Sequence, residues 1–79
     1  MMHSHTLEYS LVQAAQNAPI RGFVYSTQQP IKMIKETYGV SDKHVCAVLQ
    51  KLNEDGYIKE FHIKYNEINP QLIYMYWFK

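Results

Sequence analysis

The chain has 79 residues, a formal net charge of +1 and a single cysteine, Cys46. This length predicts one domain, and a domain so small buries only about 60% of the surface that its unfolded chain exposes. A lone cysteine argues against a disulfide-stapled secreted scaffold, the N-terminus lacks a signal-peptide pattern, and no apolar run approaches the ~20 residues of a membrane span. We therefore expect a cytoplasmic protein with no membrane partner. Any binding to nucleic acid would depend on where its charges lie, since such proteins are usually basic overall.

The first part of the chain predicts a tail, a helix and a short extended run. We interpret residues 1–5 as a flexible tail and residues 6–79 as the single domain. Thr6 is a good N-cap for the first helix, which Pro19 ends. The run RGFVYST, residues 21–27, fits a short strand and an extended linker equally well. The apolar residues that recur at helical spacing before it are Leu7, Leu11, Ala14, Ala15 and Ala18.

A second and a third helix are predicted on either side of Gly39. Pro30 suits the first turn of the second helix, and Gly39 supplies the left-handed residue that ends it. Ser41 is a good N-cap for the third helix, which we place at Ser41 to Asp55. The apolar residues are Ile31, Ile34 and Tyr38 in the second helix, and Val45, Val48, Leu49 and Leu52 in the third.

From Tyr57 onwards the hydrophobic period changes from helical to alternating, which predicts a β-hairpin. Its loop is expected to have about six residues, NEINPQ, with a bulge near Lys59 where Ile58 breaks the alternation. The second strand, LIYMYWFK, is apolar on both faces, but only one face can pack on the helices. The other must be covered by the first helix, by a ligand such as stacked bases, or by a second copy, so a homodimer is one prediction. The residues predicted to share the apolar face of the first strand are Tyr57, Phe61, Ile63 and Tyr65.

The order helix, extended run, helix, Gly turn, helix and hairpin resembles the winged helix-turn-helix transcription regulators. The resemblance rests on GVSDKHVCAVLQKLNEDGYI followed by a hairpin that ends in IYMYWFK, and it extends from about Pro30 to the C-terminus. The chain looks most like the small regulators of fimbrial operons and their bacterial and phage relatives. This implies an α+β fold of three helices with a C-terminal β-hairpin wing. It also implies binding of double-stranded DNA, with the third helix in the major groove and the wing beside it.

The residues that this resemblance would place on DNA have suitable chemistry. A glutamine can pair with adenine, a lysine can read guanine, and a small alanine allows contact with a thymine methyl group. Ser41 and the free N–H groups at the start of the third helix could hold a phosphate, and Lys32 and Lys35 could add backbone contacts. The implied interface is Ser41, Lys43, His44, Ala47, Gln50 and Lys51 in the third helix, and Lys64, Asn66, Asn69 and Gln71 in the wing.

The alternative interpretation is a winged-helix adaptor that binds another protein and modulates a larger regulator without touching DNA. The near-neutral charge favours this alternative, because proteins that bind DNA are usually basic. The resemblance does not decide between the two, because a fold by itself does not determine function. The sequence contains no Gly-rich phosphate loop, no pair of carboxylates at an obvious cleft and, in the part predicted to fold, no Cys/His metal spacing. We therefore expect neither an enzyme nor a cofactor.

Overall fold

The computed structural model describes residues 6–68 and 71–78 of the chain. These residues form a small α+β fold of three helices and a three-stranded antiparallel sheet. The tail predicted at residues 1–5 lies outside them. In chain order the elements are α1 (Leu7–Gln16), β1 (Phe23–Tyr25), α2 (Ile31–Tyr38), α3 (Asp42–Glu54), β2 (Ile58–Asn66) and β3 (Gln71–Phe78).

Local chemistry determines where α1 and α3 begin and where α2 ends, as the sequence predicts; α1 ends at Gln16, earlier than the end expected at Pro19. The Thr6 hydroxyl caps α1 by accepting a hydrogen bond from the Tyr9 amide at 3.1 Å. The Ser41 hydroxyl caps α3 in the same way, with the His44 amide as donor at 3.3 Å. Each cap satisfies an amide that has no partner inside its helix. Gly39 ends α2 with φ 62° and ψ 38°, the left-handed conformation that glycine adopts without a Cβ clash.

The sheet has the strand order β1-β3-β2, so β3 is the central strand. Residues 23–25 are a strand, which decides between the two alternatives for the run RGFVYST. Val24 and Ile63 both lie opposite Tyr74 in the register, one on each side of the central strand. Because side chains alternate between the faces of a sheet, this register determines which residues share a face.

The predicted hairpin is present, with one feature confirmed and two corrected. The register shifts between Ile58 and Glu60, which confirms the bulge near Lys59. Tyr57 was expected on the apolar face of the first strand, and this is wrong: it precedes β2 and is 49% exposed. The bulge lets Ile58 take the buried position instead. The expected loop of six residues is also wrong, because Asn66 and Gln71 still pair and only residues 67–70 separate the strands.

All three helices contribute to one hydrophobic core on one face of the sheet, the inner face. Tyr74 and Tyr76 project from β3 into this core, and both are fully buried. The Tyr76 hydroxyl donates a hydrogen bond to the Leu11 carbonyl at 2.8 Å, which ties α1 to the sheet. The buried cluster consists of Leu11, Ala14, Ala15, Val24, Ile31, Ile34, Val45, Leu49, Leu52, Ile58, Tyr74 and Tyr76.

The opposite face of the sheet, the outer face, is also largely apolar. Its residues neither belong to the core cluster nor pack against it. In the register they are Phe23 and Tyr25 on β1, Ile73, Met75 and Trp77 on β3, and Glu60, His62 and Lys64 on β2.

Within the described residues, no helix has both the length and the hydropathy needed to cross a membrane.

Candidate nucleic-acid interface

The residues of α2 and α3 that are predicted to contact DNA lie at the turn between these helices, residues 39–41, and along α3 after it. Val45 and Leu49 are fully buried on the inner side of α3, so the opposite side of this helix is directed to solvent. The exposed residues there and at the turn are Ser41, Lys43, His44, Ala47, Gln50 and Lys51, and with the exposed Lys32 of α2 we call them the α2–α3 surface.

A shallow groove of about 440 Å³ runs along this turn and connects α2 with the start of α3. It brings Lys32 of α2 into the same depression as Ser41. Amides of the first turn of a helix attract anions, and the adjacent lysine reinforces this, so the groove has the elements of a phosphate contact. Its full lining is Lys32, Lys35, Glu36, Val40, Ser41 and Asp42, in which two carboxylates offset two ammonium groups.

Asp42 joins α2, α3 and the sheet, a role that the sequence did not indicate. Its Oδ1 atom accepts a hydrogen bond from Lys35 Nζ at 3.0 Å and another from the hydroxyl of Tyr74. Burial, together with the hydrogen bond to Asp42, raises the pKa of the Tyr74 phenol above its ordinary value. Burial and the charge of Asp42 likewise raise the pKa of the neighbouring Cys46 thiol. Lys35, predicted to contact the DNA backbone, is therefore engaged in positioning the start of α3.

A second predicted lysine is also paired within the chain. Lys51 Nζ lies 3.0 Å from Asp55 Oδ1, one helical turn further along α3, and both side chains are largely exposed. The hydrogen bond and charge of Asp55 raise the pKa of Lys51. Exposed pairs of this kind are weak and can exchange for a phosphate. Among the described residues, Lys32 and Lys43 take part in no ion pair, so they are the two uncommitted ammonium groups of the α2–α3 surface.

The residues predicted in the wing do not form one surface with α3. Lys64 lies opposite Ile73 and belongs to the outer face, on the far side of the sheet from the helices. Gln71 is only 8% exposed, and its side-chain oxygen accepts a hydrogen bond from the Thr27 hydroxyl, so it holds the hairpin to the end of β1. Asn66 lies at the end of β2, where its side-chain oxygen accepts a hydrogen bond from the backbone amide of residue 68. Asn69 lies outside the described residues.

On the inner side of the sheet the hairpin continues beyond the hydrophobic core. Ile63 and Tyr65 alternate onto the inner face of β2, yet they are 42% and 56% exposed. Ile68 in the loop is 98% exposed. Apolar side chains are therefore exposed in the half of the hairpin nearest its loop. The alternation of the sequence predicts that Ile63 and Tyr65 share a face, but it does not predict that this face is exposed.

Within the part of the chain that the structure describes, no group of three or more His, Cys, Asp or Glu side chains is placed to hold a metal ion.

Comparison with known proteins gives no relative for this chain: no family model, no curated protein and no solved structure matches it.

Proposed function

We propose that the chain is a winged helix-turn-helix domain that binds double-stranded DNA and regulates transcription, with α3 in the major groove. The observation that carries the proposal is the α2–α3 surface itself. A helix with a buried inner side follows a three-residue turn, and its solvent side presents the exposed residues Lys43, Ala47 and Gln50. The Asp42 contacts hold this helix in a defined orientation against the sheet.

The arrangement of the elements supports the fold part of this proposal. The chain order α1-β1-α2-α3-β2-β3 and the sheet order β1-β3-β2 fit a winged helix, in which β2 and β3 form the wing. The turn between α2 and α3 is short enough to make the two helices cross steeply, as in a helix-turn-helix.

The side chains that α3 presents have distinct roles in this proposal. Gln50 carries an amide that can pair bidentately with adenine, and Lys43 contacts a phosphate beside it. Ala47 lies between them on the helix and leaves room for a base edge or a thymine methyl group. Lys32 and the amides at the start of α3 contact phosphates, which fixes the position of the helix on the duplex.

The number of uncommitted lysines predicts how strongly salt weakens binding. With Lys32 and Lys43 alone on phosphates, the affinity falls about 12-fold between about 50 and 200 mM salt. If Lys35 and Lys51 also leave their carboxylates to bind DNA, the fall is about 150-fold over the same range. The salt dependence therefore reports whether the ion pairs persist in the complex.

The test is fluorescence anisotropy with a random-sequence duplex pool at these two salt concentrations. Lys43→Ala should weaken binding to all sequences and reduce the salt slope by about 1. Gln50→Ala should cost about 1–3 kcal/mol on a site selected from the pool and much less on random duplex. Arg21→Ala is the matched control, because it removes one positive charge from the connection between α1 and β1, away from the α2–α3 surface. Absence of binding at both salt concentrations contradicts the proposal.

A second candidate function has its own observation in the hairpin. Ile63 and Tyr65 share one face of β2 and are exposed, and Ile68 in the adjoining loop is 98% exposed; exposed apolar side chains of this kind are typical of a protein-binding surface. An adaptor that uses these side chains would bind a protein partner, tolerate Lys43→Ala and Gln50→Ala, and lose the partner on Tyr65→Ser.

A further inference from the structure

The outer face of the sheet carries five apolar side chains that lie outside the hydrophobic core, one of them buried and the other four half-buried: Ile73, and Phe23, Tyr25, Met75 and Trp77. They form a contiguous layer. The rings of Phe23 and Tyr25 meet edge to face with centroids 5.2 Å apart. Trp77 lies across Gly22 so closely that a Cβ atom there would be 2.6 Å from its Nε1 atom. Ile73 is only 7% exposed, although it lies outside the core cluster.

The register arranges this face in three rows that run across the strands. The first row is Tyr25, Ile73 and Lys64, and the second is Phe23, Met75 and His62. The third row contains Trp77 and Glu60. The two ends of β2 on this face therefore carry opposite charges, with Lys64 in the first row and Glu60 in the third.

We propose that the outer face is the interface of a homodimer, in which a second copy packs face to face on it about a two-fold axis that runs across the strands through the middle row. This axis places the first row of one copy on the third row of the other. Lys64 then meets Glu60 of the second copy, and the pair occurs twice. Ile73 meets Trp77 of the second copy, also twice, and Met75 lies on the axis against its own symmetry mate.

The charges support this axis. Two copies whose sheets pack face to face through the same surface are related by a two-fold axis lying in the plane between them. An axis parallel to the strands would place β2 over β1, so that Lys64 would meet the aromatic side chains of β1 and Glu60 would meet the connection before β1, where Arg21 lies beside Trp77. Only the axis across the strands couples Lys64 to Glu60, so exchanging these two charges distinguishes the two arrangements.

The size of the face indicates a weak dimer. Three rows about 6.7 Å apart on three strands about 4.8 Å apart cover roughly 300 Å² per chain. Stable interfaces bury about 800 Å² per partner, so we expect a weak dimer that forms only at high protein concentration. This inference does not depend on DNA binding, because it concerns the face of the sheet that is directed away from the helices.

The experiment is sedimentation velocity of the full chain without DNA, over concentrations of about 20 to 500 µM to bracket a weak interface. Trp77 is the only tryptophan in the sequence, so its emission reports the outer face directly. We expect a monomer that becomes a dimer as concentration rises, with a parallel blue shift of Trp77 emission. Lys64→Glu or Glu60→Lys should each raise the dissociation constant about tenfold, because each places like charges in contact twice.

The double variant Lys64→Glu with Glu60→Lys restores both pairs in reversed sense and should return the dissociation constant to that of the unmodified chain. Lys43→Glu is the control, because it changes the net charge by the same amount as Lys64→Glu on α3, away from the outer face. Three results overturn the proposal: a monomer at 500 µM, a dimer that the single reversals leave unchanged, and single losses that the double variant does not reverse. A monomer whose Trp77 emission is quenched by a single-stranded oligonucleotide assigns the face to stacked bases instead, and also overturns it.

Discussion

The hydrogen bond between Tyr74 and Asp42 should make a measurable contribution to stability, and a double-mutant cycle isolates it. Tyr74→Phe removes only the hydroxyl, so the fully buried ring keeps its packing. A hydrogen bond to a charged group contributes about 1.5–3 kcal/mol. Because the Asp42 side chain is 35% exposed and keeps its contact with Lys35, water can partly replace the lost donor. We therefore expect a loss of about 1.5 kcal/mol, the lower end of that range.

The measurement is urea unfolding followed by circular dichroism and Trp77 fluorescence, for Tyr74→Phe, Asp42→Asn and the double variant. The expected coupling energy is about 1 kcal/mol, with an unchanged dependence of the unfolding free energy on urea. Tyr76→Phe provides the control, because its hydroxyl donates to the Leu11 carbonyl and not to Asp42. It should cost about 1 kcal/mol with no coupling to Asp42→Asn. Equal coupling for the two tyrosines would refute the assignment of Asp42 as the link between α3 and the sheet.

Two further predictions follow from the same core. Gly22→Ala should lower the free energy of unfolding by about 3 kcal/mol or more, because φ is +82° and the new Cβ atom would lie 2.6 Å from the Trp77 indole and 2.9 Å from the Tyr76 carbonyl. Gly39→Ala is the control: a Cβ atom there meets nothing within 4 Å, so the loss should be only about 1 kcal/mol. Equal urea midpoints for the two variants would contradict this prediction. Burial raises the pKa of both Tyr74 and Tyr76 above the ordinary 10.0, so the folded chain keeps two protons that the unfolded chain loses. Stability is then intact below pH 10 and falls above it by up to about 3 kcal/mol per pH unit, a slope that Tyr76→Phe should halve in urea titrations at successive pH values.

The elements that the sequence predicts well are those determined by neighbouring residues. Thr6 and Ser41 cap helices because their hydroxyls reach amides three residues away, and Gly39 ends α2 through its own backbone freedom. The bulge at Ile58 is likewise visible in the alternation of its neighbours. Each of these predictions needs information only from the adjacent turn of the chain, and the structure confirms each one.

The features that sequence reasoning missed depend on residues far apart in the chain. Asp42 and Tyr74 are separated by 32 positions, and Thr27 and Gln71 by 44, so the sheet register has to be known before either contact can be inferred. Tyr57 was misplaced for a different reason, since the bulge near Lys59 gives its expected buried position to Ile58.

The proposed DNA binding and the proposed dimer are connected by the small number of lysines that one chain has available for contact with phosphates. Lys35 is engaged with Asp42 and Lys51 with Asp55, which leaves Lys32 and Lys43 on the α2–α3 surface. Two phosphate contacts support only weak binding to a duplex, because this term supplies most of the affinity for DNA of any sequence. A dimer would present two such surfaces, and linking two weak sites raises their combined affinity without any new contact. If one duplex can reach both α2–α3 surfaces, association through the outer face would offset the low positive charge of a single chain.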